Sequence, residues 1–256
     1  MFRSFTYSAL ILRVRPSGES NREVWFLTAE EGILRATVFG GPKSKLRSHA
    51  APFHQGTLWM YRDPVKNSQK VIDFDVRSWR PGLRERYERV ATASAVAETI
   101  LASHGGGGNW SEALTLAHRV LDALNGADEP CCVRILIYFL WNWAMLLGLR
   151  HDVNHCASCA CEVPGDKVLW FSKRESALLC PSCVEVSHGP AAEAGGGAVL
   201  PIGPGSRRWL AAVEDLDPSL LARYTLDNLS LGQAKALVTG ILAGSLGRRL
   251  GTWGLG

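Results

Sequence analysis

Apolar and polar residues alternate through the first eighty positions. In "SALILRVR" Leu10, Leu12 and Val14 are interleaved with Arg13 and Arg15. A period of two is the mark of a half-buried β-strand. The runs "REVWFLT" and "GILRATVF" repeat it, with Glu30, Glu31 and Gly32 as the turn between them. "GTLWMYR" and "KVIDFDVRSW" complete five strands, the last placing Ile72, Phe74 and Val76 opposite Asp73, Asp75 and Arg77. Five short strands in this span suit a small closed barrel such as an OB-fold, with a longer loop between the third and fourth.

From Pro81 the period lengthens to that of helices. "LRERYERVATASAVAETILAS" is the first, and "HGGGGN" breaks it as a flexible connection. Asn109, with Glu112 three residues on, forms a variant capping box for "SEALTLAHRVLDAL". Pro130 suits the first turn of an apolar helix running to Leu149, in which Cys131 and Cys132 read as buried small hydrophobes. "GPAAEAGGGAVLPIGPG" is a linker by composition. Two helices follow, near 206–215 and 230–250, the second starting at Ser230 with Gln233 as capping partner and with Arg248 and Arg249 at its negative pole.

Val133–Leu149 is the most apolar stretch. It sits near the lower limit of the roughly 17–25 residues of a membrane span, and Arg134 and Asn142 interrupt it, so a buried core helix is expected. The N-terminus has neither a long apolar core nor a small-residue cleavage site, so no secretory signal is expected. Charge changes the picture more. Residues 1–80 hold 13 Lys and Arg against 7 Asp and Glu, while the remainder holds 15 against 17. A basic N-terminal segment points to an anionic partner.

Seven cysteines, odd in number and partly clustered, favour a reducing compartment and metal binding over disulfides. Cys156 and Cys159, then Cys180 and Cys183, form two C-x2-C knuckles separated by twenty residues. Two such knuckles complete a closed tetrahedral zinc site of structural type, and the intervening segment has the length of a short hairpin. Cys161, His151, His155 and His188 lie close enough in sequence to stand in as ligands.

"GGPKSKLRS" follows the third strand and puts Lys43, Lys45 and Arg47 within five residues. It is no Walker A loop, because Pro42 separates Gly41 from Lys43 and removes a backbone donor. No Ser-His-Asp pattern, H-E-x-x-H or H-x-E is present, and nothing in the chain argues for an enzyme. Two readings of the loop stay open. It is a phosphate contact with Phe39, Phe53, Trp59 and Tyr61 as stacking partners, or it is a solvated turn beside core aromatics.

Taken in order, "GES" at 18–20, "VFGGPKSKLRSHAAPFHQGTLWMYR", the apolar helix from Ile135 to Gly148, the two knuckles and the closing "LGRRLGTWG" resemble the RecO family of bacterial recombination mediators. The resemblance covers nearly the whole chain. It implies an α+β multidomain protein: an OB-fold DNA-binding domain over 1–80, a helical domain over 81–151 and 185–256, and a zinc ribbon inserted at 152–184. It implies binding to single- and double-stranded DNA, annealing of complementary strands, and action with RecR to load RecA onto DNA coated by single-strand-binding protein, whose acidic C-terminal tail is a further contact. No bond-breaking activity and no membrane are implied, and the location is the cytoplasm, at the nucleoid. Lys43, Lys45 and Arg47 then read as DNA-backbone contacts, with Arg13, Arg15 and Arg35 as helpers. The usual Gly-Gly before the second knuckle is replaced by Ser176 and Ala177, which bears on the turn and not on the metal. The competing class is an interaction scaffold that binds protein and not DNA.

Overall fold

The computed structural model describes residues 3–40, 44–189 and 199–254. The chain divides into two compact units, Met1–Gly126 and Ala127–Gly256. The first holds β1 (Ser4–Ser17), β2 (Asn21–Thr28), β3 (Gly32–Val38), the one-turn helix α1 (Lys45–His49), β4 (Gln55–Asp63), β5 (Ser68–Ser78), α2 (Tyr87–Ala102) and α3 (Trp110–Leu124). The five strands close into a barrel in the order β1-β2-β3-β5-β4, with β1 pairing both β2 and β4, and β3 meeting β5 in parallel. This is the expected five-stranded barrel with its long β3–β4 connection.

The interior is filled by alternate residues such as Tyr7, Ala9, Ile11, Val24, Phe26 and Phe74, and the Phe26 and Phe74 rings tilt together at 5.9 Å. Two bulges revise the faces expected from alternation. The β1–β2 register shifts between Ile11 and Arg13, so Val14 packs against the interior with Ile11, whereas Leu10 is buried outside it. Leu10 pairs with Leu27, and α2 and α3 pack onto β1. In β5 the register shifts opposite Trp59 and Met60, so Val71 turns inward in place of Ile72, which is 50% exposed. An extra residue on one strand reverses the side chains beyond it, and the partner strand fixes where that happens.

The glycine run after α2 begins with one packed position and then turns outward. Gly105 has φ +86, and a Cβ there would lie 3.1 Å from Ile33, so the backbone rests against the barrel where a side chain would intrude. Asn109 does cap α3, its side chain accepting from the Glu112 amide at 3.3 Å.

The second unit holds α4 (Glu129–Leu146), β6 (Leu169–Ser172), β7 (Ala177–Leu179), α5 (Pro181–His188), β8 (Val199–Ile202), α6 (Pro204–Ala212) and α7 (Asn228–Leu246). Asp128 caps α4 by accepting from the Cys131 amide at 2.9 Å, and Pro130 sits in the first turn. Trp141, Trp143 and Phe139 are fully buried, so α4 is the core helix its composition indicates. Among the described residues the helix that meets the length and composition of a membrane span is α7, yet it packs against α4, α6 and β8. It starts at Asp227, which accepts from the Ser230 amide at 2.9 Å, and not at Ser230. Gln233 is no cap: its Oε1 accepts from the Gly203 amide and the Ser206 hydroxyl, each at 2.9 Å.

Candidate nucleic-acid interface and metal centre

Strand pairing places side chains from all five strands on one outer surface of the barrel. Because directly opposed residues share a face, the pairs Arg13↔Trp25 and Trp25↔Arg35 form one outward row across β1, β2 and β3. The next row runs Arg15↔Glu23↔Thr37↔Lys70↔Tyr61, crossing to β5 and β4. Arg15 and Arg35 lie over the Trp25 ring at 5.6 and 5.3 Å, and Lys70 lies over Tyr61 at 4.8 Å. Arg35 is ion-paired with Glu23. Among the described residues Arg13, Arg15 and Lys70 have no carboxylate partner. The result is a cationic track with aromatic faces at its centre. Each ring holds its cations at ring height, where a strand's phosphates and bases would both be in reach.

The basic loop sits at one end of this surface. Lys43 lies outside the described residues. Lys45 opens α1 and is exposed, and Arg47 follows two residues on, half-buried. The helix is fastened through its backbone, since Arg22 at the start of β2 donates to the carbonyls of Arg47 and Ala50 at 3.1 and 3.5 Å. Leu46 packs against the barrel interior between them. Residues 45–49 are thus a fastened helical turn and not a free one. In its described part, Leu46 packs against the barrel interior while Lys45 is exposed and Arg47 half-buried.

The four candidate stacking aromatics divide. Phe39 and Trp59 are 55% and 36% exposed, Tyr61 stands in the cationic row, and Phe53 is buried. Trp25 and Lys70 are functional candidates that the sequence pattern alone does not single out. A signal exists for Trp25, because Val24 and Phe26 on either side are plainly core and leave it facing out.

The four cysteines expected as metal ligands come together in the second unit. The sulfurs of Cys156, Cys159, Cys180 and Cys183 all lie within 4.8 Å of one another, and Cys159 and Cys180 are 3.9 Å apart. A tetrahedron with bonds of about 2.3 Å has edges of roughly 3.8 Å, so the cluster is sized for one ion. The first knuckle precedes the β6–β7 hairpin. The second opens α5, with Cys180 at the N-cap and Cys183 in the first turn, where the helix dipole favours thiolate. The Cys180 amide also donates to Cys156 Sγ at 3.3 Å.

The amide and thiol of Cys161 pull the Cys159 thiol down to about 6, whereas Cys183, crowded by Cys180 and Cys159, is pushed up to about 12. The four thiols are thus close enough for each to hold or release its proton according to its neighbours. Cys161 stays outside the four. His155 is turned to Asp152 at 2.7 Å, His188 to the Ser172 hydroxyl at 2.9 Å, and His151 lies beside Phe171.

The hairpin turn keeps its geometry without glycine, with Ser176 in the left-handed region at φ 49. Behind the knuckles Arg207 of α6, fully buried, donates to four carbonyls: Val153 and Val163 at 2.7 Å, Pro164 at 2.8 Å and Lys167 at 2.6 Å. It ties the loop that carries the first knuckle to the helical core.

Comparison with known proteins assigns both halves. Residues 1–73 match the family model described as "Recombination protein O N terminal", and residues 84–254 match "Recombination protein O C terminal". The chain belongs to the RecO family. Relatives named DNA repair protein RecO include that of Pelotomaculum thermopropionicum, 29% identical over 71% of this chain and 69% of the relative. That of Synechococcus sp. (strain JA-3-3Ab) is 25% identical over 70% and 62%, and that of Bacillus subtilis is 26% identical over 90% and 84%. All the cations of the barrel track and of the basic loop fall in the RecO N-terminal match, and all four clustered cysteines fall in the RecO C-terminal match.

Proposed function

We propose that this RecO-family protein is a DNA-binding recombination mediator that anneals complementary single strands without breaking covalent bonds. With RecR it would help load RecA onto DNA coated by single-strand-binding protein, whose acidic tail it would contact, in the cytoplasm at the nucleoid. The observation that carries the DNA reading is the aligned track of Arg13, Arg15, Arg35 and Lys70 about Trp25 and Tyr61. Two single strands repel each other. A cationic surface that holds the backbones reduces that repulsion and leaves base edges free to pair, so no nucleotide hydrolysis is needed. Lys45 and Arg47 extend the positive surface at the barrel end, and Lys43 joins them by sequence. We assign the four-cysteine centre a structural zinc ion, since four soft thiolates close the tetrahedron and leave no position for substrate.

The test is annealing of two complementary labelled oligonucleotides by the purified protein without nucleotide, with and without the cognate single-strand-binding protein. Acceleration in both conditions is expected. Neutralising Arg13, Arg15 and Arg35 together should slow annealing. It should also flatten the slope of log K against log salt for single-strand binding by about 0.7 for each phosphate no longer neutralised. An unchanged slope removes these residues from the interface. Absence of both binding and annealing at low salt returns the protein to the class of interaction scaffolds.

A further inference from the structure

Away from the Trp25 track, β1, β4 and β5 form with α3 a polar pocket of about 230 Å³ lined by Ser8, Gln55, Gly56, Arg77, Ser78 and His118. It is built by a bulge. The β4–β5 register shifts between Gln55 and Gly56, so Gln55 pairs with Ser78, Gly56 pairs with Val76, and Arg77 is the extra residue. Bulges re-aim side chains in this way. The strands approach so closely there that a Cβ on Gly56 would lie 1.8 Å from the Asp75 carbonyl oxygen, which reserves the position for glycine. Among the described residues Arg77 is exposed and has no ion pair or hydrogen bond.

Behind the pocket Arg80 is fully buried and sets the polarity of two lining groups. Its Nη2 donates to Gln55 Oε1 at 3.0 Å and to His118 Nδ1, while its Nε is ion-paired with Asp122. Occupying those acceptors leaves the Gln55 amide nitrogen and His118 Nε2–H as donors. Asp122 Oδ2 stands 3.3 Å from His118 Nε2 and competes for that proton. Burial holds the imidazole below its ordinary pKa, in keeping with a neutral ring whose single proton is on Nε2. Ser8, Ser78 and Arg77 complete the lining, and the Ser8 amide donates to the Glu30 carboxylate at 3.0 Å, which leaves the Ser8 hydroxyl as its donor.

We propose that this pocket binds a phosphate group, gripped by Arg77 and received by the donors of Gln55, His118, Ser8 and Ser78. The site stands independently of the track, since it is lined by none of the same side chains. The phosphate is either the free ion or the terminal phosphate of a DNA strand, and the experiment separates them.

Inorganic phosphate is titrated into the full-length protein while the side-chain nitrogen resonances of Gln55 and His118 are followed. A saturable shift of both in the native protein, lost in Arg77→Gln, is expected. Arg77 is exposed, and an otherwise unchanged amide spectrum checks that the variant is folded. One single-stranded oligonucleotide is then compared with and without a 5′-phosphate. A preference of about tenfold for the phosphorylated form, abolished by Arg77→Gln, assigns the site to strand ends, on the scale of one charge-assisted hydrogen bond. A shift with phosphate but no preference between oligonucleotides assigns it to the free ion. No shift with phosphate, an equal shift in Arg77→Gln, or a response only to an acidic peptide overturns the proposal. Failure of the track is read separately, through the salt dependence of the Arg13, Arg15 and Arg35 variant.

Discussion

The barrel surface and the cysteine centre both gather like charges, and they do so by opposite means. On the barrel, Arg13, Arg15, Arg35 and Lys70 are held in place by the strand ladder, with aromatic faces between them. The cations remain solvated, so the ladder bears the small cost of bringing them near one another and the surface exists before any ligand arrives. At the knuckles four sulfurs crowd within 4.8 Å beside a hairpin and one helix start, and their ionisation is mutually opposed. A centre of this kind would depend on an ion between its sulfurs. A surface that must release a strand is best built into a scaffold that does not change when the strand leaves. A module whose role is architectural can rest on a ligand that stays.

The largest effect that would sharpen this contrast is metal removal. Replacing Cys180 and Cys183 with serine should abolish stoichiometric zinc and unfold the module, because structural zinc supplies on the order of 10–16 kcal/mol of apparent binding energy. Thermal melts should lose the module's transition, while single-strand affinity through the barrel stays within about twofold of the native value by fluorescence anisotropy, as expected for phosphate contacts that the module does not make. Loss of barrel binding would break the comparison.

Next comes Arg207→Met, which leaves four carbonyls and their loop without a donor. We expect destabilisation of about 3–5 kcal/mol, read by denaturant unfolding of the zinc-loaded protein. Arg207→Lys should recover only part, since an ammonium lacks the planar fork that reaches several carbonyls at once.

On the barrel, Trp25→Ala should cost about 1–3 kcal/mol of single-strand affinity if one base stacks there, with the melting temperature nearly unchanged. A loss of stability equal to the loss of affinity would make Trp25 a packing residue. The smallest effect is expected at the hairpin turn. Ser176→Gly should stabilise the module by about 1 kcal/mol in the melt, since glycine adopts φ 49 without the steric cost that serine bears.

How much is legible in the sequence follows the same contrast. Knuckle spacing is local chemistry, so Cys156, Cys159, Cys180 and Cys183 are legible as a set, and so is the basic loop. The barrel's existence is legible from its alternation. Its faces are not fully so, because bulges near Leu12, Ile72 and Arg77 are decided by the partner strand and leave no mark in either strand alone. The row that joins Arg13, Trp25 and Arg35 is a product of register, which a single strand cannot show. Ser230 is a misleading start for α7 because Asp227 and Ser230 both carry capping side chains, and Gln233 is engaged by the α6 end instead. Within "HGGGGN" the role of Gly105 is not legible, because glycine serves open turns and close packing equally well, and only the neighbours Leu27 and Ile33 tell them apart.

Arg207 also carries a consequence in time. Its four carbonyl partners lie at residues 153, 163, 164 and 167, so the clamp that frames the first knuckle is encoded well downstream of the last clustered cysteine, Cys183. At synthesis rates of roughly 5–20 residues per second, all four thiols leave the ribosome about a second or more before their clamp does. For that interval the nascent chain presents complete but unframed knuckles to the metal and oxidants of the cell. An ion captured then would hold the loop open for α6 to close upon, and the order of emergence would make loading the first step of assembly and clamping the second.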